Sequence, residues 1–475
     1  MRTWQRAMVA LLPLVACRGK QEPAPDPSVE VEPAPGPNEP PAPSPEFPEG
    51  THSLRLVRTV GVRIEPGEDA KRIGTVAIDT RVGWTRTQPG KGCDKNWIEI
   101  APRGWVCGDY VAPSKKEPYG QEVPHLDRGE VVPGVYGKVT QAGAVTYVVD
   151  KPERHKKGPK RDPAAPKKEL TLVEDAPVIG SVNVRRYDEL EVGGKTYWKI
   201  AQKEGEYVLK SAITLHQPSH FEGTRLGDDI GWGVPIAFVW PRGGGPTAYV
   251  LAKQNGGGIV REIAARTPVP ILEVAAGADA KPTAYRIGDG EWMAPPDVRV
   301  FTPLPPPPTL GENERWIDVD LDAQILVAYE GTLPVYATMV SSGGKETPTE
   351  TGLYRVWMKE SEADMKGLNG EDPYSVATVP WTQYFYPERD LALHTAYWHD
   401  QFGHPRSHGC INLAPRDARW LYFWSDPQVP PGWTMSAGVV EAPGSVVRIR
   451  SAADPTPAWK GYAKRVVEAR QAVAP

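Results

Sequence analysis

The sequence has little net charge, few cysteines and no apolar run long enough to cross a bilayer. Its 475 residues carry a formal net charge of −4, so no strongly basic face for nucleic acid is predicted. A membrane-spanning helix needs about twenty apolar residues, and no run reaches that length. Helix breakers are abundant instead, with 47 glycines and 52 prolines. This composition disfavours a helical bundle, a coiled coil or a helical solenoid, and it favours short strands between turns.

The N-terminus has the features of a targeting segment. A basic start precedes a ten-residue apolar run at residues 7–16, which is too short to cross a bilayer. The run ends in Leu-Val-Ala followed by Cys17, which resembles a bacterial lipobox; a plain signal peptide with a chance cysteine is the alternative. The resemblance implies a signal peptide at residues 1–17, a lipid on Cys17 and an exported protein. By the same resemblance, Arg18 favours the outer membrane, facing the periplasm.

Residues 18–50 are predicted to be a disordered tether. Within residues 21–50, eleven residues are Pro and none is Lys or Arg. Such a segment cannot bury a core, and its prolines favour an extended polyproline II conformation. We expect this tether to let a lipid-anchored protein extend away from the membrane.

The middle of the chain repeats an aromatic strand, a glycine turn and a second aromatic strand. The clearest copy is Trp97 to Ile100 followed by Gly104-Trp105-Val106, and its alternation predicts a half-buried strand. Residues 51–118 resemble a bacterial Src-homology-3-like domain, and residues 119–222 and 223–304 are predicted to be second and third β modules. The resemblance implies docking on cell-wall peptide or spacing of domains.

The last part of the chain is predicted to be a separate mostly β domain. Residues 305–310 form a proline hinge in this interpretation, residues 311–452 the domain, and residues 453–475 a tail. A β-hairpin is predicted from Trp316 to Tyr329, and a helix from Pro415 to Phe423. Residues 459–472 have the pattern of an amphipathic helix that either docks on this domain or stays loose.

Cysteine is scarce, with four residues in the chain. If Cys17 carries lipid, three remain. Cys93 and Cys107 lie in one small segment, and an exported compartment favours a disulfide between them. Cys410 is then unpaired, and a lone thiol in an oxidising compartment is a liability unless it carries out chemistry.

Chemistry is indicated by a cluster around Cys410. Four of the nine histidines precede this cysteine within one short window: His394, His399, His404 and His408. The segment from His394 to the Ser-His-Gly-Cys of residues 407–410 resembles the catalytic motif of the L,D-transpeptidase family. The fold class expected is therefore mostly β, with small Src-homology-3-like barrels followed by a β-sandwich-like L,D-transpeptidase catalytic domain.

The chemistry of acyl transfer explains these residue types. Because a free thiol is only partly ionised at neutral pH, a histidine that accepts its proton would give a thiolate–imidazolium pair. We predict Cys410 as nucleophile, His394 as proton donor and acceptor, and Gly409 as an oxyanion-hole donor through its backbone N–H. By resemblance, the backbone carbonyl of Thr395 orients His394. The residues predicted to contact substrate surround the nucleophile in sequence: Arg406, Ser407, His408 and Asn412.

The implied activity is attack of Cys410 on a peptidoglycan stem peptide, with loss of D-Ala and formation of a thioester. A second stem amine would give a 3–3 cross-link, a protein amine would anchor a protein, and water would make the enzyme a carboxypeptidase; some relatives hydrolyse such links. Inhibition by carbapenems is expected, and no cofactor is predicted. Three alternatives stand beside this one: a zinc site built from His399, His404, His408 and Cys410, an inert buried Cys410, and a non-catalytic wall-binding scaffold.

Overall fold

The computed structural model describes residues 47–150, 170–202, 205–227, 231, 233–367 and 373–473. The predicted signal peptide, Cys17, most of the tether and residues 151–169 of the second module lie outside these residues. Strands dominate the described chain, which confirms the predicted mostly β class. Neither α-helix of the described chain is long and apolar enough to span a membrane.

The first segment forms two small sheets. Its strands are β1 Ser53–Leu56, β2 Val60–Arg63, β3 Arg72–Val76, β4 Arg81–Val82, β5 Trp84–Gln88, β6 Trp97–Ile100, β7 Trp105–Cys107 and β8 Val111–Ser114. One sheet has the order β4-β1-β8, and the other begins β5-β6-β7-β2-β3. Cys93 and Cys107 form a disulfide with their Cα atoms 5.6 Å apart. The Src-homology-3-like assignment stays a prediction.

The second and third segments also consist of short strands. The second holds β9 Val135–Val139, β10 Val145–Val149, β11 Leu172–Pro177, β12 Ser181–Arg186, β13 Asp188–Val192, β14 Lys195–Lys199, β15 Glu206–Leu209 and β16 Ile213–Leu215. The third holds β17 Thr224–Arg225, β18 Ile236–Val239, β19 Thr247–Lys253, β20 Gly256–Ala264, β21 Pro268–Pro270, β22 Glu273–Ala276, β23 Pro282–Gly288, β24 Glu291–Met293 and β25 Val298–Phe301. The third segment has its own small apolar core, which includes Val239, Val250 and Met293.

The C-terminal domain packs two sheets around one large core. Its elements are β26 Arg315–Asp320, β27 Ile325–Glu330, β28 Leu333–Met339, β29 Gly352–Arg355, β30 Met358–Gly367, β31 Tyr374–Tyr386, β32 Leu391–Thr395, β33 Ile411–Leu413, α1 Pro415–Trp424, β34 Trp433–Ala437, β35 Val446–Arg450 and α2 Gly461–Val473. The predicted hairpin is β26 and β27, with Trp316 opposite Tyr329. The predicted helix is α1, which ends one residue later than expected.

Strand pairing joins the earlier segments to the C-terminal domain. β3 pairs with β34, β12 runs parallel to β31, and β17 pairs with β28. The sequence placed β17 in the third module, whereas in the structure it extends the sheet of the C-terminal domain. In the first two of these pairings, the partner residues lie 190 or more positions apart in the sequence. The alternation of apolar and polar residues within one strand could not predict them.

The predicted proline hinge is fastened to the C-terminal domain. Arg448 donates to the carbonyl of Pro305 at 2.6 Å, and Arg450 donates to the carbonyl of Thr302 at 2.9 Å. Both guanidinium groups also pair with the fully buried Asp318. Because buried charges are held by their partners, these two arginines anchor the start of the proline segment.

The tail docks rather than hanging free. In α2, Tyr462, Ala463 and Val466 are buried. Lys460, just before the helix, pairs with Glu350 at 2.6 Å, and Arg465 pairs with Glu388 at 3.0 Å. The amphipathic pattern therefore buries one face on the C-terminal domain.

Candidate active site

Two adjacent parallel strands carry the predicted catalytic residues. β32 and β33 pair with Leu393 opposite Ile411 and His394 opposite Asn412. Paired residues of neighbouring strands project from the same face of the sheet, so the imidazole and the Asn412 amide are neighbours. Cys410 directly precedes β33, beside Ala392 of β32. Cys410 and His394 therefore lie on the same face of the strand pair, and fifteen residues separate them in the sequence.

The backbone before Cys410 is held in a tight turn. Gly409 has φ +119°, a conformation that residues with a Cβ rarely adopt, and an added Cβ would come within 3.0 Å of Leu391. The Ser407 hydroxyl donates to the carbonyl of Cys410 at 2.5 Å and accepts the N–H of Gly409 at 3.1 Å. Thr349 donates to the carbonyl of Gly409 at 2.7 Å.

Two residues predicted to act on substrate take part in bracing this turn. Ser407 supports the turn through backbone contacts, and its side chain is buried. The N–H of Gly409 is engaged by Ser407, so it would have to leave that hydroxyl to serve an oxyanion. The oxyanion role of Gly409 stays a prediction.

His394 is buried and oriented by its neighbour. Its Nδ1 lies 2.9 Å from the carbonyl oxygen of Thr395, the contact that the sequence predicted. Since a carbonyl only accepts, Nδ1 carries the proton and Nε2 is left as the acceptor. Burial lowers the pKa of His394 to about 4, although the Thr395 contact acts in the opposite direction. At neutral pH the imidazole is therefore uncharged, and its Nε2 can take a second proton.

The thiol of Cys410 is also kept neutral by its surroundings. Burial raises its pKa to about 11; an N–H from Ala392 lowers it, and the charge of Asp390 raises it further. Cys410 is partly exposed, while the protein packed around it penalises the charged thiolate. The thiolate–imidazolium pair expected from the sequence is thus disfavoured before substrate binds, because burial penalises both charges.

The predicted substrate-contact residues divide into exposed and buried groups. Arg406 is exposed and hydrogen-bonds Gln401. His408 is exposed and stacks on Tyr374, with ring centroids 4.5 Å apart. Asn412 is only 3% exposed and lies against His399.

Two tyrosines near the thiol were not predicted from the sequence. The charge of Cys410 contributes to raising the pKa of Tyr374 and of Tyr384, after burial in both cases. Both residues lie on β31, which pairs with β32 through Tyr384 and Ala392. No local motif marks them, because only the sheet register brings β31 beside the nucleophile.

The loop between β32 and β33 is held by distant parts of the chain. Arg266 of the third segment makes two hydrogen bonds to Asp400, at 2.6 and 2.8 Å, and Ser219 donates to the same carboxylate at 2.5 Å. Trp240 packs against His404 at 4.8 Å between ring centroids. A cleft of about 990 Å³ is lined in part by Ser219, Arg266 and Asp400.

The histidines of the alternative zinc site have separate neighbours. His399 contacts Asn412, His404 contacts Trp240, and His408 stacks on Tyr374. In the described part of the chain, the one close group of three potential metal ligands is Cys93, Cys107 and Asp109, and its two cysteines are joined as a disulfide.

Comparison with known families decides what this domain is. The family of the L,D-transpeptidase catalytic domain (YkuD) matches residues 314–449. Those residues form an L,D-transpeptidase catalytic domain. The match lies inside the predicted domain of residues 311–452, whose boundaries stay a prediction, and it does not cover the three earlier segments. No curated protein matches the chain.

Solved L,D-transpeptidases resemble the catalytic domain. A mutant of the Enterococcus faecium enzyme is 26% identical over 29% of this chain and 50% of that one, with a TM-score of 0.23. The catalytic domain of that species' enzyme, solved by NMR, is 26% identical over 29% of this chain and 98% of its own, with a TM-score of 0.23. L,D-transpeptidase 3 from Mycobacterium tuberculosis, with a faropenem-derived adduct, is 21% identical over 29% of this chain and 60% of its own, with a TM-score of 0.24. The chain thus spans about half of the Enterococcus faecium enzyme, and at these TM-scores the likenesses carry no further argument.

Proposed function

We propose that the protein is a peptidoglycan L,D-transpeptidase that acts through a thioester on Cys410. The observation that carries the proposal is the register of β32 and β33, which puts Cys410 two residues before Asn412, the partner of His394, and on the same face of the strand pair. The Thr395 contact leaves Nε2 of His394 as the proton acceptor. A family match over residues 314–449 supports the reaction class.

The first half-reaction needs one proton movement. Nε2 of His394 takes the thiol proton as the sulfur attacks the carbonyl of the stem peptide bond before D-Ala, so the two charges form only with the reaction. The C–N bond then breaks, the imidazolium gives its proton to the departing amine, and a thioester and free D-Ala result. Because burial disfavours both charges in the free protein, we infer that the ion pair is confined to the reacting complex.

The second half-reaction returns the thiol. An amine of a second stem peptide attacks the thioester, His394 takes a proton from that amine, and the proton passes to the departing sulfur. The product is a 3–3 cross-link. The same site with water as acceptor would give a carboxypeptidase, and cleavage of existing links would make it an endopeptidase.

One experiment separates these outcomes. Purified protein is incubated with a disaccharide-tetrapeptide, with and without a second stem peptide, and products and protein adducts are read by mass spectrometry. We expect release of D-Ala, an acyl adduct on Cys410 and a cross-linked dimer, all absent in Cys410→Ala. Release of D-Ala with water addition alone would identify the carboxypeptidase. A wild-type protein that forms no adduct with the stem peptide or with imipenem would favour the non-catalytic scaffold.

We also propose, from the sequence, that the protein acts in the cell envelope. A lipid on Cys17 would hold it in the outer membrane facing the periplasm, and the three β segments would dock on or space it from the wall.

A further inference from the structure

A chain of hydrogen bonds leads from the loop between β32 and β33 to Asn412. The backbone N–H of Gln401 donates to Nδ1 of His399 at 3.1 Å. Burial, with the nearby charges of Arg406 and His394, lowers the pKa of His399 to about 4, so its ring is neutral near pH 7. Since Nδ1 accepts, the single ring proton is on Nε2, and Nε2 must donate. Its neighbour at 3.1 Å is the Nδ2 atom of Asn412, which is also a donor.

The oxygen of the same Asn412 amide has the opposite problem, because it lacks a donor. Oδ1 of Asn412 is buried, and among the residues that the structure describes no donor lies within hydrogen-bonding distance of it. The oxygen and nitrogen of an amide have nearly the same shape, and the hydrogen-bond network decides which is which. Turning the amide over gives Nε2–H of His399 an acceptor and moves the NH₂ group to the position without a donor. One rotation therefore removes the donor–donor conflict with His399, and it leaves a buried NH₂ group that needs an acceptor.

We propose that His399 is a positioning residue that holds the Asn412 amide with its NH₂ group toward His394, as a donor to an oxygen of the acyl donor. Asn412 is the direct partner of His394 in the β32–β33 ladder, so this NH₂ group lies beside the base. The inference rests on the proposed function, because it assigns the donor to the peptide that Cys410 attacks.

The chemistry of the partner follows from the donor. A buried N–H without an acceptor is unfavourable, and a carbonyl or carboxylate oxygen of a peptide relieves it. The position is enclosed, so that oxygen reaches it only when neighbouring side chains move apart. Asn412 would then distinguish a peptide that offers an oxygen there from one that does not.

Two substitutions at one position test the donor separately from packing. His399→Gln places an amide N–H near the position of Nε2 and keeps the donor to Asn412. His399→Asn ends near Nδ1, so it keeps an acceptor for Gln401 but leaves Asn412 without its partner. We expect imipenem to acylate Cys410 about tenfold more slowly in His399→Asn, the usual scale for one lost hydrogen bond, and within about twofold of wild type in His399→Gln.

The double variant shows whether His399 acts through Asn412. Asn412→Ala should be slowed to a similar extent, and adding His399→Asn to it should cause no further loss. Melting temperatures are measured in parallel, because a purely structural role would lower stability in both His399 variants. Independent losses in the double variant, or a His399→Gln as slow as His399→Asn, would overturn the proposal.

A spectroscopic readout decides the amide orientation without any activity. A long-range ¹H–¹⁵N spectrum of the imidazoles should show His399 protonated on Nε2 and His394 protonated on Nδ1, the two opposite tautomers. A proton on Nδ1 of His399 overturns the inference whatever the enzyme does. Failure of the wild type to release D-Ala would instead count against the proposed function, and the tautomers would still be read.

Discussion

Removing the imidazole at position 394 should change the shape of the pH–rate profile as well as the rate. The pKa of His394 is lowered to about 4, so the base of the wild type is more than 90% unprotonated from about pH 5 upward. We therefore expect wild-type acylation to lose rate as pH falls through about 4 and to be nearly flat from pH 5 to 9. Without the imidazole, attack depends on the small fraction of thiol that ionises by itself.

The size of the effect follows from the thiol. With a pKa of about 11, roughly one Cys410 in 10⁴ is ionised at pH 7, against a few per cent for an ordinary thiol. In His394→Ala, acylation should be slower by about 100-fold or more at pH 7, the usual scale for losing a general base. Its rate should rise about tenfold per pH unit, so the gap to the wild type narrows steadily toward pH 9.

The assay is the rate of the imipenem adduct, followed by mass spectrometry between pH 5 and 9. Cys410→Ala should form no adduct, and His125→Ala, an exposed histidine of the linker before β9, should match the wild type. We expect His408→Ala to cost less than His394→Ala, since His408 stacks on Tyr374 at the surface. The reasoning is refuted if the wild type itself rises tenfold per pH unit, or if His394→Ala keeps a flat profile.

Three further predictions concern parts of the chain outside the catalytic pair. Arg266→Ala removes the charged partner of Asp400; because this pair is partly exposed and Ser219 remains, we expect acylation to fall by at most about fivefold with little change in melting temperature, measured beside the wild type. Cys93→Ser opens the disulfide to Cys107 and should lower the free energy of unfolding by about 3 kcal/mol in urea titrations, a loss that reductant should reproduce in the wild type but not in the variant. Cys17→Ser should move the protein from the membrane fraction to the soluble fraction, and a variant that stays in the membrane would exclude the lipid anchor.

Local patterns were sufficient where the signal lies within a few residues. The alternation of Trp316 to Tyr329 predicted a hairpin, and the structure has β26 and β27 there. The Ser-His-Gly-Cys segment with an upstream histidine predicted an L,D-transpeptidase domain, which the family match confirms. Such features are fixed by strand periodicity and by motif spacing, both of which are properties of the sequence itself.

Tertiary structure decided the environment of those residues. Residue types alone suggested an ion pair between Cys410 and His394, but burial shifts both groups toward their neutral forms, and burial depends on everything packed around them. Tyr374 and Tyr384 approach the thiol only because β31 pairs with β32.

The sequence by itself therefore determined the strand-rich class and the family of the C-terminal domain, and it predicted Cys410 as nucleophile and His394 as base. Only the tertiary structure decided that Arg266 holds the catalytic loop from 134 residues away, that Arg448 fastens the proline segment, and that His399 faces Asn412. The physical reason is that spacing and periodicity act along the chain, whereas hydrogen bonds and desolvation act through space. Which distant groups meet is set by the packing of whole sheets.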